Sequence, residues 1–347
     1  MHAVKTHGKW LLVSGTAAAL ALLPSTAFAD RGHGRPSQGS YQTSGNQSNG
    51  SLESRISFSG STRGSGGASP GLAPVGDWSP PACWYEPIPA EEFAKLMEAD
   101  YNKVVDDPSQ PDYAKVATGQ LRDQYKNGEY KNYNLAKKDE GNWWVSEQDS
   151  SRLDESGAWD CNKLPFWVKN GETPKVENAV SPQVLAELAY SRIRLPTTHV
   201  SLAPKDTTKV NLATWAWLDK AAFKPVSVTA SLNVPGLNIQ ATTTAKPIAL
   251  KLEPGTSDAV TYPASGECTV NADGSIGEAY APGKADQDPP CGIKYLRSSG
   301  DGTFPLKATI TWQISWTGTG GAGGNLPDGA FGTTQDVTVQ EVQSVNR

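Results

Sequence analysis

From Val210 onward, apolar and polar positions alternate with a period of two. In 226–234, Val226, Val228, Ala230, Leu232 and Val234 alternate with Ser227, Thr229, Ser231 and Asn233. Ala308, Ile310, Trp312, Ile314 and Trp316 fall on one strand face, against Thr309, Thr311, Gln313 and Ser315 on the other. Runs at 212–218, 239–245 and 248–252 read as further strands, and Val337, Val339 and Val342 close the series. Alternation of this kind is the mark of a half-buried strand. Pro235-Gly236, Pro254-Gly255, Asp273-Gly274 and Asp301-Gly302 punctuate the runs as turns. About seven strands in roughly 140 residues predict an immunoglobulin-like antiparallel β-sandwich over residues 206–347.

Upstream the spacing is helical. Phe93, Leu96, Met97, Tyr101 and Val104 predict a helix from Ala90 to about Val105, stopped by Pro108 and Pro111. Tyr113, Val116, Ala117, Leu121 and Tyr125 mark a second helix. A third opens with Ser181 as N-cap and Pro182 at the first helical position, and Pro196 ends it. Residues 126–142 are polar and read as a loop, whereas 143–145 and 166–168 read as short strands or buried anchors. Residues 77–205 are therefore expected to form a small α+β domain. The fold class is mainly β with this α+β part in front.

The first 29 residues read as a secretory signal peptide. Lys5 and Lys9 supply a positive start, Leu11 to Leu23 an apolar run, and Ala27-Phe28-Ala29 a small-x-small cleavage site before Asp30. The apolar run is about 13 residues, short of the roughly 20 a membrane span needs. Residues 30–76 are dominated by Gly and Ser and read as a disordered tether. The C-terminal residues carry no apolar tail, so the expected product is secreted or extracellular, either released or held at the cell wall by a partner, with no membrane span after cleavage.

Several segments resemble exported proteins of high-GC Gram-positive bacteria. They are 181–195 with Leu188-Ala189-Tyr190 and Arg194-Leu195-Pro196, 210–217, Cys291-Gly292-Ile293-Lys294-Tyr295 with Arg297-Ser298-Ser299, 309–324, and Val339-Gln340-Glu341-Val342-Gln343. The relatives commonly have Pro at the position of Ala213. The resemblance implies export and a C-terminal sandwich of the polycystic-kidney-disease or immunoglobulin type, and it carries over no catalytic residue.

Composition narrows the partner. Lys plus Arg is 31 and Asp plus Glu 36, for a net charge of −5, and losing residues 1–29 makes the chain more acidic. Bulk charge thus argues against nucleic acid or anionic lipid as a partner. Cys83, Cys161, Cys268 and Cys291 are an even set in a chain expected to be exported, which points to two disulfides. Three pairings are possible; Cys83–Cys161 with Cys268–Cys291 keeps each bond inside one predicted domain. A zinc site is not expected, since no CxxC pair exists.

Signals for catalysis are sparse. His199 is the one histidine within 77–347, and no GxSxG elbow accompanies it. Gly318-Thr319-Gly320-Gly321-Ala322-Gly323 matches GxGxxG in form, but Gly324-Asn325-Leu326-Pro327 follows where a dinucleotide site needs a helix. The Gly run reads as a long flexible loop between strands. Tyr133–Lys137 and Tyr280–Lys284 match the Tyr-x-x-x-Lys spacing without a nucleotide-binding unit around them. No catalytic residue, cofactor or metal is assigned.

Tryptophan is the positive surplus. Trp215/Trp217 and Trp312/Trp316 each share a strand face and read as core. Trp143 and Trp144 point to opposite faces of any strand, which makes them the candidate exposed ligand contact. The expected function is a non-catalytic, disulfide-braced surface or extracellular module, with an unknown cell-surface protein or cell-wall polymer as partner. Loop 318–329 and the insert 269–290 are its candidate contact loops. The alternatives are a carbohydrate- or wall-binding module using exposed Trp, and an exported enzyme of unknown type.

Overall fold

The computed structural model describes residues 54–60, 71–195, 200–218 and 224–342. In chain order the elements begin with β1 (Ser57–Gly60), β2 (Ala73–Pro74), β3 (Cys83–Ile88), α1 (Ala90–Asp106), α2 (Asp112–Lys126), β4 (Gly141–Gln148), β5 (Phe166–Lys169) and α3 (Pro182–Arg192). There follow β6 (Ser201–Ala203), β7 (Thr207–Lys209), β8 (Ala213–Leu218), β9 (Val226–Val234), β10 (Leu237–Glu253) and β11 (Ala259–Tyr262). The last are β12 (Glu267–Thr269), β13 (Ile276–Gly277), β14 (Gly292–Tyr295), β15 (Phe304–Gly318) and β16 (Gly323–Gln340). The structure is mainly β, arranged in three sheets with helices against them.

The large sheet has eight strands in the order β1-β9-β10-β15-β16-β2, with β12 joined to β10 and β7 joined to β16. Its centre is a meander of long antiparallel strands. Pro235-Gly236 turns β9 into β10, and Gly236 adopts φ +80°, a conformation that favours glycine. The two runs expected at 239–245 and 248–252 are one 17-residue strand, because a register shift between Pro247 and Ala249 absorbs the change of phase. The long loop expected at 318–329 is absent: β16 begins at Gly323, and the glycine run folds as a tight turn with Gly320 and Gly321 both at positive φ.

The second sheet runs β11-β14-β8-β13, with β6 also on β8, and the third is β3-β4-β5. Leu185 and Leu188 of α3, Trp84 and Trp144 of the third sheet, Ala216 and Ile293 of the second, and Ile310 and Trp312 of the first belong to one apolar core. The helix α3 is central to it, with six of its eleven residues buried. It starts where the sequence places it: the Ser181 hydroxyl accepts from the Val184 N–H at 3.2 Å.

The helices α1 and α2 cover the other side of β4. Phe93 stacks on Trp143 with ring centroids 4.3 Å apart, and Tyr125 and Tyr133 pack around them. The polar stretch before β4 is ordered: Lys131, Asn132, Tyr133 and Asn134 all have left-handed φ angles of 39° to 57°. Such a run costs about 1–2 kcal/mol per residue. Its packing offsets this, as the Tyr133 carbonyl accepts from Trp143 Nε1 at 2.8 Å and its hydroxyl donates to Glu98 at 2.6 Å.

Part of the stretch read as a tether is structured. Ile56 is fully buried, β1 pairs with the outer edge of β9, and β2 pairs with β16. Ile56 and Phe58 supply the apolar contact that the surrounding Gly/Ser composition conceals. These two strands cover opposite flanks of the central meander, which blunts edge-to-edge association.

Candidate binding face

The sequence-named residues separate into scaffold and surface. Cys83 is bonded to Cys161 and Cys268 to Cys291, the pairing that keeps each bond local. The first ties β3 to the segment before β5, and the second ties β12 to the start of β14. His199 and the signal peptide lie outside the described residues. Tyr133 serves the Glu98 cluster described below.

Trp143 and Trp144 are not an exposed contact. They do point to opposite faces of β4, yet Trp143 is 0% and Trp144 4% exposed. Both faces of the strand are covered. Trp143 enters the aromatic cluster under α1 and α2, and Trp144 enters the main core. Trp215 and Trp312 are core as expected, while Trp217 and Trp316 are half-buried. The insert 269–290 folds onto the second sheet: Tyr280 meets Trp215 edge-on and the Lys284 ammonium lies 5.3 Å from that indole. Trp217 borders a shallow depression of about 600 Å³ with Asn271 and Asp273. Those two side chains are committed to the turn, Asn271 donating to the Gly277 carbonyl and Asp273 accepting from Ser275.

Two carboxylates, Glu86 and Glu98, each gather three hydrogen-bond donors. Glu86 on β3 is fully buried. It accepts from Trp84 Nε1 at 2.9 Å, the Ser54 hydroxyl at 2.8 Å and the Arg55 N–H at 2.8 Å. Burial pushes its pKa up, and these donors pull in the other direction without cancelling the rise. Glu86 is thus a clasp on segment 54–56, reinforced by an ion pair between Arg55 and Glu92 of α1. Glu98 on α1 accepts from Arg122 at 2.8 Å, Lys126 at 2.7 Å and Tyr133 at 2.6 Å. Partial burial raises its pKa, but the three donors together outweigh that and hold it at about 2.

The open surface with a regular chemistry is the outer face of the large sheet. Register places Thr229 of β9 opposite Thr242 of β10, and Thr242 opposite Thr317 of β15. The neighbouring row is Ser227, Thr244 and Ser315 in the same three strands. Across the strand pair, Ser227 and Thr244 hydroxyls bond at 2.8 Å and Thr229 and Thr242 at 2.7 Å. Ser231 and Gln240 extend the array on one side, and Asn325 of β16 continues the second row beyond Ser315. These side chains are exposed or half-buried. The opposite face of the same strands is packed: Thr243, fully buried, donates to the Ala186 carbonyl of α3 at 2.7 Å.

The polar halves of 226–234 and 308–316 are visible in the sequence as separate alternations. What unites them is the strand register, which no single run encodes. No protein-family model matches the chain, and no curated protein or solved structure matches it.

Proposed function

We propose that the protein is exported and works outside the cell as a non-catalytic interaction module, with the outer face of the large sheet as its contact surface. One observation carries this reading. An ordered, hydroxyl-rich surface lies across β9, β10 and β15, bordered by Lys246 of β10, on strands whose reverse side is anchored in the core. A rigid sheet presents such a surface without reorganisation, which lowers the cost of binding. Two disulfides suit an oxidising compartment. The apolar cluster that Ala216, Leu218 and Ile293 share with Leu250, Ile310 and Trp312 supports an immunoglobulin-like pairing of the two larger sheets.

The test is co-sedimentation of the secreted protein with isolated cell-wall sacculi over a salt series, beside a Thr242→Val/Thr317→Val variant. Saturable binding that the variant loses is expected. Equal binding by both proteins would remove the face from the mechanism. Export is checked separately by N-terminal sequencing from a secreting host: Asp30 as first residue is expected, and retention of Met1 would refute cleavage.

A further inference from the structure

We infer that the outer face of the large sheet docks an uncharged, hydroxyl-rich polysaccharide. The inference rests on the reading of that face as the contact surface, and it adds the chemistry of the partner.

The two central rows, Thr229–Thr242–Thr317 and Ser227–Thr244–Ser315, contain hydroxyls and no ionisable group. A polyanion would need cations there to gain affinity from counterion release; the rows supply none, and Lys246, opposite Gln313 in the next row, sets a single charge beside six hydroxyls. A protein partner would need buried aromatic or aliphatic anchors at the centre of its footprint, and the rows supply none of these either. A neutral glycan asks for something else. Its hydroxyls are donors and acceptors at once, and it is matched by groups of the same dual character.

The face provides them in a fixed arrangement. Each hydroxyl carries one donor and two lone pairs. The bond between Thr229 and Thr242, like that between Ser227 and Thr244, consumes one donor and one lone pair. Every pair therefore keeps one donor and three lone pairs for a ligand, with its rotors already oriented. The strands that carry the hydroxyls lie about 4.8 Å apart, and successive rows are about 6.7 Å apart along each strand. A polymer lying across the strands meets a partner at each strand. Each contact is weak, and repetition along one chain multiplies them through effective concentration.

The experiment is native affinity electrophoresis of the full protein in gels containing dextran, mannan or galactan, with co-sedimentation on microcrystalline cellulose, at low and high salt. The expected result is retardation or pelleting with at least one of these polymers that survives high salt. The Thr242→Val/Thr317→Val variant keeps β-branched shape and loses two hydroxyls, so its affinity should fall about tenfold or more. A Thr334→Val control on β16, opposite Lys307 at the end of β15 far from the rows, should match the native protein.

Absence of binding to all four polymers would overturn the inference, as would binding that salt abolishes or that the double variant retains. The underlying reading fails differently. If the double variant loses sacculus binding while no neutral polymer binds either protein, the face remains a contact surface and only the glycan assignment falls. If both proteins bind sacculi equally, the contact-surface reading falls too.

Discussion

The indole N–H of Trp84 and the carboxylate of Glu86 meet at 2.9 Å inside the protein, with Glu86 wholly screened from solvent. Two further donors reach the same carboxylate from residues 54 and 55. One side chain thereby anchors the first described segment, and with it the strand that covers the edge of β9. Glu86→Ala leaves three donors without their acceptor, each worth about 1–3 kcal/mol if it stays buried. The expected outcome is faster proteolysis and hydrogen exchange across 54–60 together with a lower denaturation midpoint. Unchanged protection of 54–60 would contradict the clasp.

The same carboxylate gives a pH dependence of defined sign. Its folded-state pKa is raised, mainly by burial. Its contribution is full below the ordinary carboxylate value of about 4.3, and is lost as pH rises through the raised value. Glu86→Gln fixes the neutral form. Native protein and variant should therefore differ least below about pH 4.3, with the native protein losing ground as pH rises from there. Denaturant titrations at several pH values check this, and a constant difference would count against it.

Glu98 acts in the opposite sense. Burial raises its pKa, yet Arg122, Lys126 and Tyr133 together hold it at about 2, so it stabilises the packing of α1 and α2 above the ordinary carboxylate pKa. That contribution fades as pH falls from about 4.3 towards the folded value. The Glu98→Gln variant should lose less stability than the native protein on acidification through this range. Thermal unfolding followed in the near-ultraviolet reads it out.

Trp143 is a keystone of the satellite cluster, stacked on Phe93 and bonded to the Tyr133 carbonyl. Trp143→Ala should cost about 3–5 kcal/mol and release the left-handed turn at 131–134. Polysaccharide binding by the fraction that remains folded should be unaffected. A variant with native stability would show that this packing is dispensable.

The two disulfides should differ in worth. Chain-entropy arguments give about 4.5 kcal/mol for the loop closed by Cys83–Cys161 and about 3.4 kcal/mol for that of Cys268–Cys291, from separations of 78 and 23 residues. Paired Cys→Ala variants compared by chemical denaturation test the order. A larger loss from the shorter loop would point to native-state packing as the dominant effect.

By itself the sequence determines the elements whose signals are local. The period-two runs become β9, β10 and β15, the Ser181-Pro182 start becomes the start of α3, and of the three possible disulfide pairings the one favoured for keeping each bond inside a predicted domain is the one formed. Tertiary structure decides what faces what. Trp143 and Trp144 look like an exposed pair until both sides of β4 are covered, one by α1 and α2, the other by the main core. The Gly run at 318–324 reads as loose until pairing of β15 with β16 compresses it into a turn. Ile56 lies in a Gly/Ser-rich stretch and is buried all the same, because an open edge of β9 and the Glu86 carboxylate await that segment. The hydroxyl face belongs to the same class. Alternation marks which residues share a side of one strand, but only long-range hydrogen bonding sets adjacent strands in register, and register is what turns separate polar stripes into one surface.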